Sequence, residues 1–448
     1  MAGLAELCHH RRGGSLLVLS GIALLYGRSG ALNLAQIGVA LSHGRRDGLV
    51  IVAFALIVSG FFIKAAIVPF HFWLADAYTV APTPVCILFA GVMSELGLYA
   101  IARTYWTVFD GTLSPEHVQL RVILVAAGLV TAVVGAVMCL MQRHLKRLLA
   151  FLTISHLGLM LVGIGLLSVD GLSGTAIYVV VDGLVKASLF VCVGILQYRR
   201  GHVHELRLRG QGCGLPFTGA LFAVGGLAVA AMPPFRTFLG KSLTHQTFQS
   251  GYGWVAWVYV AVSVLTGATV LRAAGRVFLG WGSATEPSRI VDRADAERRL
   301  PGPGARSRTP ASLAASATLL LAGGLFVDVF PRFLDAAQEA AARFEAPGVY
   351  ARAVLYGRPV GHLPVPSFSP TGGALYGLLA SVLGAAARAA GLLFAHRLPF
   401  RPPTQFTALA TGGTARLRDL HSGLPGDYVA WITLGVAVFG GAFAVVLR

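Results

Sequence analysis

The chain has 448 residues, 55% of them hydrophobic and 12% charged, with a mean hydropathy of +0.71; a soluble globular protein carries roughly a quarter charged residues, so that class is excluded and a polytopic membrane protein is expected. The formal charge of +17 would suggest nucleic acid in a soluble protein, but the arginines cluster at the ends of apolar runs, with little base-stacking pattern among them, as membrane topology requires. The five cysteines have no paired spacing, and neither Walker, iron-sulfur nor glycine-rich phosphate-loop patterns occur, so no disulfide framework, metal or cofactor is expected.

Residues 1–14 put Arg11 and Arg12 ahead of an apolar run. No small-x-small cleavage site follows, so the stretch reads as a cytoplasmic N-terminus and not as a signal peptide. Runs of about 20 apolar residues then predict about eleven transmembrane helices, at 15–31, 49–69, 83–105, 120–141, 147–167, 173–197, 215–234, 253–275, 311–331, 372–396 and 429–447. Two connections are long and polar, 281–310 and 333–370, and DAAQEAAARFEA at the start of the second reads as a surface helix. Alternating the spans places 21 of the 36 Lys and Arg on the side of the N-terminus. The positive-inside bias puts that side in the cytoplasm of a cell whose plasma membrane the chain crosses several times.

The second predicted span carries Lys64 and then Pro69, in SGFFIKAAIVPFHFWLADAYTVAPTPV. Proline cannot donate to the helix ladder and its ring clashes with the carbonyl four residues back, so a helix break is expected beside an ionisable group at membrane depth. Such irregular backbone survives only where protein or water lines it. With that stretch go LMQRHLKRLLAFLTISHLGLM (140–160), DGLVKASLF (182–190) and AMPPFRTFLGK (231–241).

In these segments the chain resembles the antiporter-like membrane subunits of respiratory complex I, of Mrp-type cation/proton antiporters and of group 4 hydrogenases. The resemblance runs from about residue 15 to 281. It implies an all-helical fold of two inverted five-helix repeats, each with a broken helix, and a row of buried charges for proton or sodium movement. On that plan residues 15–117 are a partial first repeat, 118–281 a second repeat broken near Pro233 and Pro234, 282–310 a polar connector and 311–448 C-terminal helices. The first repeat starts late, as though truncated, and lacks the acid that the family normally pairs with the lysine at Lys64. Partners are expected to be other membrane subunits of such an assembly, in a lipid bilayer and without nucleic acid.

The candidate relay residues are Lys64, Glu95, His156, Asp182, Lys186 and Lys241, with His71 and His245 as secondary candidates. Lys64 is either a proton-exchange group, since a buried lysine shifts its proton affinity readily, or a lysine snorkelling to an interface. Glu95 stands where the family usually has lysine, and is expected to pair with Lys64 in place of the missing acid. Asp182 and Lys186 are four apart with the acid first, the favourable order for a same-face pair, which serves either as a relay or as a static buried ion pair. His156 is of the residue type that titrates near neutral pH, no metal-ligand companion stands at helical spacing, and it serves either as a proton relay or as a lone membrane histidine bonded to a carbonyl. Lys241 follows Pro233 and Pro234 and precedes His245 by one turn, which repeats the logic of the first break and makes it either a relay group or an interfacial anchor. Arg143, Lys146 and Arg147 read as topological anchors, and Arg272 and Arg276, on one helical face near a span end, either as a charge at an exit or as snorkelling residues, the cheaper role. A non-conducting scaffold subunit of the same kind of complex is the competing reading.

Overall fold

A computed structural model describes residues 2–42, 47–113, 117–232, 253–282, 311–329, 331–357, 372–394 and 425–447. Among them the fold is helical, with one isolated bridge between His144 and His204 and no strand. The helices are α1 (Ala2–Ser29), α2 (Leu34–Ser42), α3 (Gly48–Lys64), α4 (Phe72–Val80), α5 (Thr83–Leu88), α6 (Ser94–Thr104), α7 (Asp110–Leu113), α8 (His117–Met141), α9 (Leu145–Gly165) and α10 (Val169–Arg200). After these come α11 (Pro216–Val229), α12 (Gly253–Leu279), α13 (Ala311–Val329), α14 (Pro331–Phe344), α15 (Pro347–Tyr356), α16 (Gly372–Phe394) and α17 (Pro425–Val446).

Each predicted span overlaps a described helix, and that of 49–69 ends at Lys64. By length and composition, six described helices are apolar enough to cross a membrane, or up to eight if each of two bent pairs counts as one span. Three more apolar helices are shorter: α3, α11 and the segment Leu379–Phe394. The surface helix expected after residue 333 is α14.

Local chemistry sets several helix limits. The Asp47 side chain accepts from Val50 N–H at 3.1 Å and starts α3. Ser168 accepts from Gly171 N–H at 3.2 Å and starts α10, which ends at Gly201 in the left-handed conformation (φ 78°). These are the usual side-chain N-cap and glycine stop.

Helix α9 lies at the centre, and every residue from Leu145 to Gly165 except Arg147 is buried. A helix without a polar face must be enclosed on all sides. Small residues bring α8 against it: a Cβ on Gly158 would meet Ala132 N, and one on Gly135 would meet Ser155 N. Backbone contact of that closeness requires glycine at the crossing. Helix α17 closes the opposite side of α3, with Phe443 edge-on to Phe54 at 5.2 Å and Phe439 edge-on to Phe62 at 4.9 Å.

Candidate functional site

Four ionisable side chains from three elements meet in the interior. His156 comes from α9, Asp182 and Lys186 from consecutive turns of α10, and Glu95 from the start of α6. His156 Nδ1 lies 2.6 Å from Asp182 Oδ1, and Lys186 Nζ lies 2.7 Å from Asp182 Oδ2. Lys186 also donates to Glu95 Oε1 at 3.2 Å. The side chains of His156, Asp182 and Lys186 are 0% exposed and that of Glu95 is 4% exposed.

Burying one such charge without a partner is costly, and only mutual pairing with hydrogen bonds makes the group tolerable. One ammonium against two carboxylates leaves a single excess negative charge, which the imidazolium form of His156 would balance. Lys186 touches both carboxylates, so protonating either one changes its interaction with the other. The 2.6 Å separation between Nδ1 and Oδ1 is within the range for direct proton transfer.

The position of Glu95 depends on a local irregularity in its helix. Residues Thr83–Leu113 form one continuous apolar helix interrupted by π-helical turns at Phe89–Met93 and Tyr105–Phe109. In the first, Ser94 N–H reaches back five residues to Phe89 O. One extra residue per turn rotates everything after it by about 100°, and here that rotation turns Glu95 toward α10. Glycine permits the approach: a Cβ on Gly183 would stand 2.8 Å from Gly91 O and 3.4 Å from Glu95 Oε2. The expected pairing of Glu95 with Lys64 is therefore corrected, since Glu95 is committed to Lys186.

Lys64 ends α3 at the expected break. Ala66 takes a positive φ of 53°, the Val68–Pro69 peptide is cis, and helix resumes only at Phe72. The freed backbone groups are supplied by neighbours: Val68 N–H donates to Thr131 Oγ1 of α8 at 3.1 Å, and Trp73 Nε1–H donates to Ile63 O at 2.9 Å. Lys64 is half-buried, its Nζ 5.8 Å from the centre of the Phe61 ring. Among the described residues no carboxylate lies within ion-pair distance of it. It borders a cavity of about 340 Å³ whose wall includes Ser15, Phe61, Met93, Ser94 and Gly97. Ser94 therefore lines the Lys64 cavity, while Glu95, the next residue, reaches Lys186.

His71 is buried at the start of α4, with its ring centre 4.2 Å from that of Phe72. Lys241, His245, Pro233 and Pro234 lie outside the described residues.

Lys146 is 3% exposed and donates to Ala81 O at the end of α4 at 3.2 Å, and Arg147 donates to Asp76 of α4 at 2.8 Å. These bonds tie the broken helix to α9. Arg272 and Arg276 do not snorkel: they are 1% and 2% exposed. Arg272 Nε and Nη2 grip Glu205 at 3.1 and 3.0 Å, and its remaining donors reach Leu140 O and Gln142 O at 2.7 and 2.9 Å. Arg276 Nη1 lies 3.3 Å from Glu205. Sequence reasoning missed Glu205, which stands in a polar connection, and its one signal was being the sole acid in the segment 199–214.

Comparison with known proteins agrees with the resemblance. Residues 2–268 match the family model described as NADH:quinone oxidoreductase/Mrp antiporter, transmembrane. The chain is 32% identical over 288 residues to NAD(P)H-quinone oxidoreductase chain 4 1 of a Synechococcus strain, covering 62% of this chain and 52% of that protein. It is 32% identical over 299 residues to NADH-quinone oxidoreductase subunit N of Desulforudis audaxviator, covering 65% and 54%. The chain thus spans about half the length of the curated relatives it matches. Among solved structures, a chain of the Mrp complex from Dietzia sp. superimposes with a TM-score of 0.67 at 27% identity, covering 79% of this chain and 70% of that one.

Proposed function

We propose that this chain, which belongs to the NADH:quinone oxidoreductase/Mrp antiporter transmembrane family, moves protons across or along the bilayer as one subunit of a multisubunit membrane complex. The observation that carries this reading is the unbroken buried line Glu95–Lys186–Asp182–His156. Each neighbour is within ion-pair distance, and each residue type can hold or release a proton.

Such a line works by charge coupling. When a proton reaches Glu95, its attraction for Lys186 falls and Lys186 shifts toward Asp182. Asp182 then holds the shared proton of His156 less strongly, and the proton leaves through the imidazole. Lys64 and its cavity supply the approach on the side of the broken helix, since Ser94 lines the cavity and Glu95 faces the line. The chain contributes proton movement, and any redox chemistry would reside in other subunits of the assembly. The plasma membrane with a cytoplasmic N-terminus is the orientation favoured by the distribution of Lys and Arg.

Asp182→Asn is the direct test, because it keeps the shape while removing the charge that joins Lys186 to His156. In membrane vesicles carrying the assembled complex, driven acidification should fall to background while the complex stays intact on a native gel. Unchanged acidification would reject the reading in favour of a scaffold.

A further inference from the structure

Helix α12 carries a line of polar groups that the relay above does not use. Tyr259, Ser263, Thr266, Thr269, Arg272 and Arg276 follow one another at steps of three or four residues, so each lies one turn beyond the last on a connected surface. All are between 0% and 6% exposed. The line faces α8 and α9 at the points where contacts are defined. Tyr259 donates to Leu159 O of α9 at 2.7 Å, and Arg272 donates to Leu140 O, in α8, at 2.7 Å.

Its two ends approach two charged clusters described above. At one end Tyr259 reaches Leu159 O, three residues beyond His156 on α9. Tyr178 is one turn before Asp182 on α10, with its ring centre 5.6 Å from that of His156. At the other end Arg272 and Arg276 enclose Glu205.

A hydroxyl donates one proton and accepts through two lone pairs. Thr266 donates to Val262 O at 2.8 Å and Thr269 to Leu265 O at 2.7 Å, which leaves the oxygen of each able to accept. We propose that the Tyr259–Ser263–Thr266–Thr269 file is a second proton branch, running from the His156–Asp182 centre to the face of the bundle built by residues 203–214, and closed there by the Arg272–Glu205–Arg276 cluster. The inference rests on the proton-moving reading of the chain. Each step breaks one O–H bond and forms another, with bridging water carrying the proton over the roughly 5–6 Å between positions one turn apart, and nothing is oxidised or reduced.

The cluster suits a closing role. A guanidinium cannot accept a proton, and a fixed positive charge across a polar path opposes a cation. Glu205 holds that charge in place: it reaches Arg272 and Arg276 at once, and its own backbone N–H is bonded to Arg143 O at 2.8 Å.

The competing role for these hydroxyls is helix packing, because serine and threonine often satisfy themselves on the preceding turn of a membrane helix. Thr266→Val separates the two, since it keeps the volume and removes the hydroxyl, and Thr266→Ser restores the hydroxyl in a smaller side chain. Both are measured with Lys186→Met as control, by acidification of vesicles carrying the whole complex. The branch predicts that Thr266→Val lowers acidification by about tenfold or more, in keeping with loss of one proton-transfer group, and that Thr266→Ser keeps most of it. Wild-type acidification in Thr266→Val, or equal loss in both variants, overturns the branch. If Lys186→Met also leaves acidification unchanged, the proton-moving reading itself fails, a result distinct from failure of the branch.

Discussion

Glu95 and Lys186 lie 91 residues apart in the chain and meet at 3.2 Å, with side chains 4% and 0% exposed. This contact joins the continuous helix Thr83–Leu113 to α10, and it makes the Asp182–Lys186 pair part of a longer line. A helical pair four residues apart would form in an isolated helix; the bond to Glu95 exists only because a π-helical turn and two facing glycines bring the helices together.

Neutralising Glu95 should therefore affect Lys186 and not Lys64. Glu95→Gln keeps the volume and a hydrogen-bonding oxygen, so the complex should assemble while acidification drops strongly. In a double-mutant comparison, adding Lys186→Met to Glu95→Gln should cost far less than the sum of the two single effects, as expected for groups acting as a unit. Additive losses would show that the two act separately.

Gly183→Ala probes the same contact through the backbone. Its Cβ would stand 2.8 Å from Gly91 O and 3.4 Å from Glu95 Oε2, so the π-helical turn must move away from α10. Overpacking of this kind costs about 1–3 kcal/mol, and thermal unfolding in detergent should shift downward accordingly. Acidification should also fall, because the Glu95–Lys186 separation grows. An alanine variant with the stability and acidification of the parent would mean the approach of the helices is looser than described.

At the other end of the bundle, Glu205→Gln removes the carboxylate that holds Arg272 and Arg276. Breaking a buried pair by neutralising one partner costs about 3–5 kcal/mol, so this variant should be among the least stable single substitutions in the chain. Replacing Arg147 with Met, which breaks the part-exposed bond to Asp76 (16% and 21% exposed side chains), should cost much less, about 1 kcal/mol or below. Thermal unfolding of both variants gives the ranking, and the reverse order would contradict the burial assigned to Glu205.

Much of the candidate site is legible in the amino-acid sequence. The break at Lys64 and Pro69 follows from proline chemistry, the Asp182–Lys186 pair from helical spacing, and His156 from its residue type together with the family resemblance. The partner of Glu95 could not be read, for a geometric reason: the π-helical turn at Phe89–Met93 rotates the helix, and nothing in the residue types there announces it. The basic residues misled for a related reason. Arg272 and Arg276 sit at a span end, where snorkelling is cheap, and for them as for Lys146 and Arg147 only the packing of distant segments supplies the partners Glu205, Ala81 O and Asp76.

The central claim is that the line from Glu95 to His156 carries protons and is not a static brace. Lys186→Met decides it, because Lys186 touches both carboxylates. With assembly of the complex verified on a native gel, the account predicts that driven acidification of vesicles falls to background. Acidification at the parental rate by a fully assembled Lys186→Met complex would contradict it.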